Sequence, residues 1–387
     1  TYVAEHAPAN RRGYFTSWIQ TTATLGLFLS LGVILFTRSE MGVEKFNAWG
    51  WRIPFLASAL LLGISIYIRL KMNESPLFAK LKQEGKTSVN PLKESFTHKL
   101  NLKMVLLALF GATMGQGVIW YTGQFYAQSF IENTCKISFE QSRTIMLWAI
   151  AFATPFFIVF GALSDKVGRK WIMLAGMLLG VIFYRPIFNI FLAETNVKEW
   201  TAGKEVIKIK SDTIKKEHDG KLLSEISTQY KTYYGAKFTE QRTDTIHNSI
   251  PDIATGKTSY INLELNTPTY IEFIALIWLM VLFVTMVYGP IAAFLVELFP
   301  TRIRYTSMSL PYHIGNGVFG GLVPFLSTLI IEYTKTPDNP KGSPLAGLWY
   351  PICVAAVCFV IGVLYLSNKK DEEIMDDENV YVHEKKV

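Results

Sequence analysis

Amide and aromatic side chains follow one another along a stretch of the sequence that is otherwise apolar. Gln116, Trp120 and Gln124 are four residues apart, so a helix would carry all three on one face, with Tyr121 beside it. Polar side chains in an apolar helix usually face the protein interior or a cavity, because hydrocarbon offers them no hydrogen bonds. The spacing predicts a surface that binds a small polar ligand, and packing of buried amides beside glycines explains the same pattern equally well.

Three more polar residues lie in apolar stretches farther along the chain. Tyr288 precedes Gly289-Pro290, where a helix bends, and both ligand contact and ordinary aromatic packing are consistent with it. Asn316 follows in a glycine-rich stretch and is predicted to contact ligand. His313 lies about eight residues from the nearer end of that stretch, roughly 12 Å into an apolar core. A histidine there is either a proton carrier or hydrogen-bonded to a neighbour.

Two other features leave alternatives open. Arg185 is about 14 residues into its apolar stretch, roughly 21 Å along a helix, where it either attracts an anionic ligand or extends to the water interface. A stripe of hydroxyl and amide residues is predicted either to hydrogen-bond a neighbouring helix or to contact ligand. The stripe consists of Ser17, Gln20, Thr21 and Thr24.

A charged loop combines residues that suit a conformational gate. Between Gly161 and Lys170, Asp165 stands four residues before Arg169, and Gly168 between them permits a tight turn. A carboxylate and a guanidinium at the end of a helix can hold one conformation closed and release it in another. The simpler alternative is a basic loop with a turn glycine. The sequence contains no P-loop, zinc-protease or serine-hydrolase motif, so we expect no catalytic residue, metal or cofactor.

These residues belong to a chain with the composition of a membrane protein. Of 387 residues, 50% are hydrophobic and 18% are charged, below the roughly 25% typical of soluble domains. About 20 apolar residues span a bilayer as a helix. Eight segments meet this criterion, at about 14–36, 53–70, 104–128, 144–163, 171–192, 270–296, 306–331 and 346–367.

The basic residues predict an orientation. With residues 193–268 left out of the count, the loops on one side of the eight segments carry 17 Lys and Arg residues and those on the other carry 7. The richer side is expected to be cytoplasmic, which places both termini in the cytoplasm. The net charge of +7 then reflects topology and lipid headgroups, and nucleic acid is not an expected partner. Residues 193–268 lie on the other side as a small subdomain or lid, with a plain spacer as the simpler alternative.

The loop from Gly161 to Lys170 resembles the cytoplasmic loop motif of the major facilitator superfamily. Tyr2-x-x-Glu5 with Arg12-Gly13, Asn73-Glu74-Ser75-Pro76, and Glu297-Leu-Phe-Pro300-Thr-Arg302-Ile-Arg304 resemble the elements that follow its fourth, sixth and tenth helices. The stretches SWIQTTATLG, WGWRIPFL and ELFPTRIRYTSMSLPYHIGNG are similar to the metabolite:H+ symporter branch. That branch includes permeases for 2-oxoglutarate, citrate, shikimate and proline or betaine.

The resemblance implies an all-α membrane protein with the major facilitator fold, in which the eight segments are helices five to twelve. The sequence starts at Thr1, and we expect a fragment without the first four helices. The expected divisions are 1–70 (end of the first half), 71–103 (inter-half loop), 104–192, 193–268 (insert), 269–367 and 368–387 (tail). The resemblance also implies a gating network of Glu5, Arg12, Glu74, Asp165, Gly168, Arg169, Glu297 and Arg302.

The implied function is secondary active transport of a small organic acid or zwitterion by alternating access, with H+ as the coupling ion. The expected partners are the metabolite, H+ and membrane lipid, and we expect a monomer. No acidic residue lies near the middle of any of the eight segments, so coupling would fall to His313 or to a residue outside this sequence. The alternatives are a proton-independent facilitator, an osmolyte carrier, and a membrane sensor that uses the 193–268 insert.

Overall fold

The computed structural model describes residues 2–71, 79, 82–83, 85, 90–203, 205–218, 221–247, 250–301 and 303–368, and most of these are helical. The prediction of eight spans is confirmed within this part of the chain. The spans are α1 Arg12–Met41, α2 Arg52–Lys71, α3 Lys99–Thr134, α4 Phe139–Val167, α5 Arg169–Thr201, α6 Thr267–Leu298, α7 Arg304–Tyr333 and α8 Ala346–Tyr365.

Contacts divide the chain into two compact units. The bundle unit comprises Thr1–Tyr126, Leu147–Arg185 and Trp278–Val387, and the sheet unit comprises Ala127–Met146 and Pro186–Ile277. The divisions expected from the sequence follow the ends of the spans, whereas the boundaries between these units fall inside α3, α4, α5 and α6. One end of each of these four spans therefore belongs to the sheet unit.

Glycine and proline set the ends and breaks of the helices in the bundle unit. Gly42 adopts φ +77°, and its N–H donates to the Arg38 carbonyl, which ends α1. Pro155 begins a new helical segment within α4, because its missing N–H is tolerated in a first turn. No residue of α2 is buried, so its apolar side chains are free to face lipid.

Two spans depart from regular α-helix at several points. In α3, π-helical turns occur at Leu109–Thr113, Thr122–Tyr126 and Phe130–Thr134, and α7 contains a longer one at Ile314–Gly320. Such turns are rare and are frequent at functional sites. Most of the predicted ligand-binding residues therefore lie on the two spans that contain π-helical turns, whereas Tyr288 lies on α6, a continuous α-helix.

The apolar core of the bundle unit joins α3 to α6. Met104 and Ala108 of α3 pack against Ile291, Leu295 and Phe299, all of them buried. Burying a side chain of this size contributes about 1.5–3 kcal/mol. This packing fixes the C-terminal part of α6, which carries Glu297.

The 193–268 insert contains a four-stranded antiparallel sheet in the order β1-β2-β3-β4. Its strands are β1 Val206–His218, β2 Lys221–Thr232, β3 Lys237–His247 and β4 Ile250–Glu264. Val197, in the short helix Val197–Thr201, packs with Phe238 and Leu263 in a small apolar cluster. The helical membrane class is thus confirmed, and the insert adds a folded sheet to it.

The sheet is joined to the segment that follows α3. Ile137 forms a parallel bridge with Leu263, and Ser138 N–H donates to the Leu263 carbonyl at 2.8 Å. Cys135 lies just before this bridge and is buried, and burial raises the pKa of its thiol to about 12. The thiol therefore stays protonated and unreactive at neutral pH.

We predict that Gly168→Ala destabilises the protein. Gly168 adopts φ +104° and ψ 151°, and an added Cβ would collide with the Asn368 side chain. A non-glycine residue in that region costs about 1–3 kcal/mol. The measurement is the thermal midpoint in detergent. Gly63→Ala is the matched control, since Gly63 is helical with no atom near its added Cβ, and equal midpoints for the two variants would contradict the prediction.

Candidate functional site: a charge cluster and a buried polar cluster

Asp165 binds the beginning of α1 through both of its carboxylate oxygens. Gly13 N–H donates to Oδ1 at 2.7 Å, and Tyr14 N–H donates to Oδ2 at 2.9 Å. The first N–H groups of a helix lack partners within the helix and form the positive end of its dipole. The last turn of α4 therefore supplies a negative cap to α1. Gly13 allows this approach, because a Cβ there would lie 2.8 Å from Oδ1.

Arg169 connects this cap to the end of α6. Its guanidinium lies 2.7 Å from Asp165 Oδ1 and 3.0 Å from Glu297 Oε1. Arg12 approaches the same Glu297 oxygen at 3.4 Å. The Asp165 and Arg169 side chains are only 6% and 4% exposed. Buried charges of this kind need complete pairing, because each has lost its hydration.

A second buried pair joins Glu5 to the beginning of α7. Arg304 donates to Glu5 Oε1 at 2.9 Å and to the Phe299 carbonyl at 3.1 Å. Glu5 belongs to the short helix Tyr2–His6. Together these two groups of contacts form the charge cluster, which consists of Glu5, Arg12, Asp165, Arg169, Glu297 and Arg304.

The first turn of α5, which begins directly after Gly168, binds the end of α8. Lys170 Nζ donates to the carbonyls of Val363 and Leu366 at 2.8 and 2.7 Å. The last carbonyls of a helix form the negative end of its dipole, so a cation there is favourable. Sequence reasoning did not assign this role to Lys170, because nothing local shows which helix end it reaches.

A second group of polar side chains lies between four spans, some of them buried and some half-buried. Tyr288 of α6 donates to Asn316 Oδ1, and the Asn316 amide donates to Gln116 Oε1 at 3.4 Å. The Tyr312 hydroxyl lies near the side chains of Gln20, Gln116 and Tyr288. These five residues, Gln20, Gln116, Tyr288, Tyr312 and Asn316, form the polar cluster. None of them carries a formal charge.

Aromatic rings border the polar cluster. The Trp120 ring centroid lies 5.0 Å from that of Tyr288 and 5.6 Å from that of Tyr121. Phe125 approaches the same tryptophan at 5.8 Å. Several aromatic rings thus lie next to the polar cluster on one side.

The two clusters are separated by similar lengths of helix on three spans. Gln20, Tyr288 and Tyr312 lie eight or nine residues along their helices from Arg12, Glu297 and Arg304, respectively. At 1.5 Å per residue this is roughly 12–14 Å. Since the apolar core of a bilayer is about 30 Å thick, a charge cluster at its edge puts the polar cluster near the midplane.

A family model described as Major Facilitator Superfamily matches residues 1–201, more than half of the chain. The chain belongs to the major facilitator superfamily. The resemblance drawn from its motifs is therefore confirmed. The most specific of those motifs in this major facilitator chain contains the Asp165–Arg169 pair. Two contacts of this pair reach α1 and one reaches α6.

Named relatives of this major facilitator chain are transport proteins. A candidate metabolite transport protein of Haemophilus influenzae is 27% identical and is matched over 95% of this chain and 66% of its own. The inner membrane metabolite transport protein YhjE of Escherichia coli is 23% identical over 84% of this chain and 57% of its own. The citrate-proton symporter of Klebsiella pneumoniae is 23% identical over 95% and 64%. The chain thus spans about 57–66% of the length of these relatives.

The structure brings together most of the residues that the sequence singled out for ligand binding. Gln116, Trp120, Tyr121, Tyr288 and Asn316 lie in or beside the polar cluster. Gln124 is buried two turns farther along α3, and its amide atoms have no hydrogen-bond partner among the described residues. Its role as a ligand contact stays a prediction.

Two predicted residues do not belong to the polar cluster. His313 is exposed, and its ring stands edge-on to Tyr312 with centroids 5.8 Å apart, whereas Tyr312 itself faces inward. Arg185 is also exposed and lies 4.8 Å above the Trp349 ring, where a cation–π contact forms. For Arg185 the geometry favours an interfacial position over attraction of a ligand at the polar cluster.

The gating residues named from the sequence divide into two sets. Glu5, Arg12, Asp165, Gly168, Arg169 and Glu297 lie in or beside the charge cluster. Glu74 and Arg302 lie outside the described residues. Sequence reasoning did not single out Arg304 or Tyr312, and it did not predict that Gln20 belongs to the polar cluster. A signal for Tyr312 existed, since it stands four residues before Asn316 on the same helix face.

We predict that Asp165→Asn lowers the stability of the protein strongly. Removing one partner of a buried pair leaves the other charge without compensation and costs about 3–5 kcal/mol. The thermal midpoint in detergent should fall by several degrees. The control is Glu332→Gln, which breaks an exposed pair with Lys335 and should cost at most about 1 kcal/mol. Equal losses in the two variants would show that the Asp165 contacts are not buried charge pairs.

Proposed function

We propose that the protein is a secondary active transporter of a small organic acid or zwitterionic metabolite in the bacterial inner membrane. Membership of the major facilitator superfamily and the names of its relatives support transport. The observation that carries the proposal is the uncharged polar cluster, which lies about 12 Å along three helices from the charge cluster. That arrangement suits a ligand site near the midplane with a closure on one side.

In this proposal the polar cluster binds the substrate. Gln116 and Asn316 offer amide donors and acceptors, and Tyr288 and Tyr312 offer hydroxyl groups. Neutral hydrogen-bonding groups bind a carboxylate without adding a buried charge of their own. Trp120 and Tyr121 provide apolar surface for the carbon skeleton. The π-helical turns of α3 and α7 next to these residues supply places where the helices can bend.

The charge cluster serves as the closure on the cytoplasmic side. Its contacts join the beginning of α1 to the end of α6, and the beginning of α7 to the short helix Tyr2–His6, so opening that side requires the pairs to separate and become hydrated. The hydration regained on opening offsets much of the lost pairing, so the two states can stay within a few kcal/mol of each other. The count of Lys and Arg residues supports this orientation, with both termini in the cytoplasm.

We expect labelled 2-oxoglutarate, citrate, shikimate or betaine to accumulate in proteoliposomes that contain the full-length protein. An inward proton gradient should drive this uptake above the level of protein-free vesicles. Uptake that is equal with and without the gradient would make the protein a facilitator. No uptake of any of the compounds would remove the support for this substrate class.

We predict that Tyr288→Phe weakens substrate binding, since it removes the hydroxyl that orients the Asn316 amide. A buried acceptor left without its donor costs about 1–3 kcal/mol, or roughly 5- to 150-fold in KM. The matched control is Tyr350→Phe, which removes a hydroxyl bonded to the Phe319 carbonyl, a backbone acceptor outside the polar cluster. The measurement is the KM of substrate uptake for both variants. An unchanged KM for Tyr288→Phe would exclude Tyr288 from the site.

In the same proposal His313 carries the coupling proton. Histidine titrates near neutral pH, and His313 adjoins Tyr312 of the polar cluster. We predict that His313→Gln abolishes gradient-driven accumulation and preserves substrate exchange, because exchange needs no net proton movement. His6→Gln, at an exposed position on the short first helix, should preserve both. Full accumulation by His313→Gln would assign coupling to another group.

A second candidate substrate is a zwitterion with a quaternary ammonium group, such as betaine. The rings of Trp120, Tyr121 and Tyr288 favour it, because several π faces around one point attract such a cation. Trp120→Leu should then reduce betaine uptake by roughly 2- to 30-fold and citrate uptake less. Trp148→Leu is the control, since Trp148 stacks on Phe152 instead.

A further inference from the structure

We propose that the turn between β2 and β3 docks into the lipid headgroup layer of the membrane that the protein's own helices cross. The turn carries two adjacent tyrosines. Tyr233 is 78% exposed and Tyr234 is 63% exposed, and their rings meet edge to face with centroids 5.4 Å apart. No other pair of neighbouring aromatic residues in the described part of the sheet is as exposed.

The backbone holds these two side chains outward. Thr232 N–H donates to the Ala236 carbonyl at 2.8 Å, and Gly235 closes the turn with φ +88°. Thr232 and Ala236 on either side are buried. The turn is therefore a fixed structure that buries its small residues and presents its large amphipathic ones.

The position of the turn sets it at the membrane boundary. Tyr234, Thr232 and Ala236 line a cavity of about 140 Å³ together with Glu194 and Thr269. Glu194 ends the long helix of α5, and Thr269 lies in the first turn of α6. Since both helices cross the bilayer, the level of these two residues is where hydrocarbon gives way to water.

Tyrosine suits that level. Its ring is apolar and its hydroxyl is polar, and such side chains are enriched where the bilayer meets water. Neighbouring side chains add to the fit. Lys231 is two residues before Tyr233 and pairs with Ile207 of β1 in the strand register. Ile207 is 64% exposed. Lys231 is exposed as well and can reach lipid phosphates.

The sheet would then rest on the bilayer through this turn. Thr232 pairs with Val206 at the beginning of β1, so the docked end is also the end nearest the short helix Val197–Thr201. The proposal concerns only lipid contact and does not depend on the transport function.

The test places a fluorescent label at the turn and measures its depth in lipid nanodiscs with one chain per disc. Tyr233→Cys is made in a Cys353→Ser background, because Cys353 is exposed while Cys135 and Cys358 are buried. The control label is at Ile214→Cys, also exposed and paired with Glu225, roughly 23 Å along the strand from Thr232. Equal far-UV circular dichroism spectra confirm that both variants are folded.

We expect spin-labelled lipid headgroups to quench the label at position 233 and aqueous iodide to quench the one at position 214. Iodide quenching at position 233 as strong as at position 214 would overturn the proposal. So would a label at position 233 that is shielded from iodide and unaffected by spin-labelled lipid, because protein would then cover the turn. A further variant, Tyr234→Ser, should make the label at position 233 more accessible to iodide.

Discussion

The carboxylate of Asp165 is the interaction on which the arrangement of the bundle unit depends. It accepts hydrogen bonds from the first turn of α1 and pairs with Arg169, and Arg169 in turn reaches Glu297 at the end of α6. A buried carboxylate is stable only when hydrogen bonds and an opposite charge replace its hydration. Here those partners come from different parts of the chain, so satisfying one anion determines where several helix ends lie.

The absence of formal charge from the polar cluster complements this arrangement. Charge is concentrated at the ends of helices, and amide and hydroxyl groups occupy the positions some 12 Å farther along. Neutral groups at that depth carry a small desolvation cost and so can exchange partners, among themselves or with a ligand, at little net cost. The described part of the protein thus keeps its strong electrostatic contacts apart from its adaptable ones.

The spans and the general location of both clusters could be predicted from the sequence, because bilayer thickness sets helix length and polar residues stand out against an apolar background. The role of Arg304 could not be predicted, since it depends on where the helix after Pro300 begins, and the structure begins it at Arg304. The sheet was also hidden. Its strands mix Lys, Thr and Ser with few apolar residues, and the apolar cluster around Phe238 depends on packing with Val197 of a separate short helix. Partners of Gln20 and Lys170 lie on distant helices, and residue type alone does not show which ones.

The junction between α4 and α5 carries two opposite charges whose order cannot be exchanged. Its anion, Asp165, meets the start of one helix, and five residues later its cation, Lys170, meets the end of another. Helix starts are positive and helix ends are negative, so each charge fits only its own neighbour. Exchanging the two residues would keep the composition, the net charge and the turn at Gly168. It would, however, place a cation at the positive start of α1 and an anion at the negative end of α8. The order of charges along these six residues therefore encodes the direction in which the two neighbouring helices run.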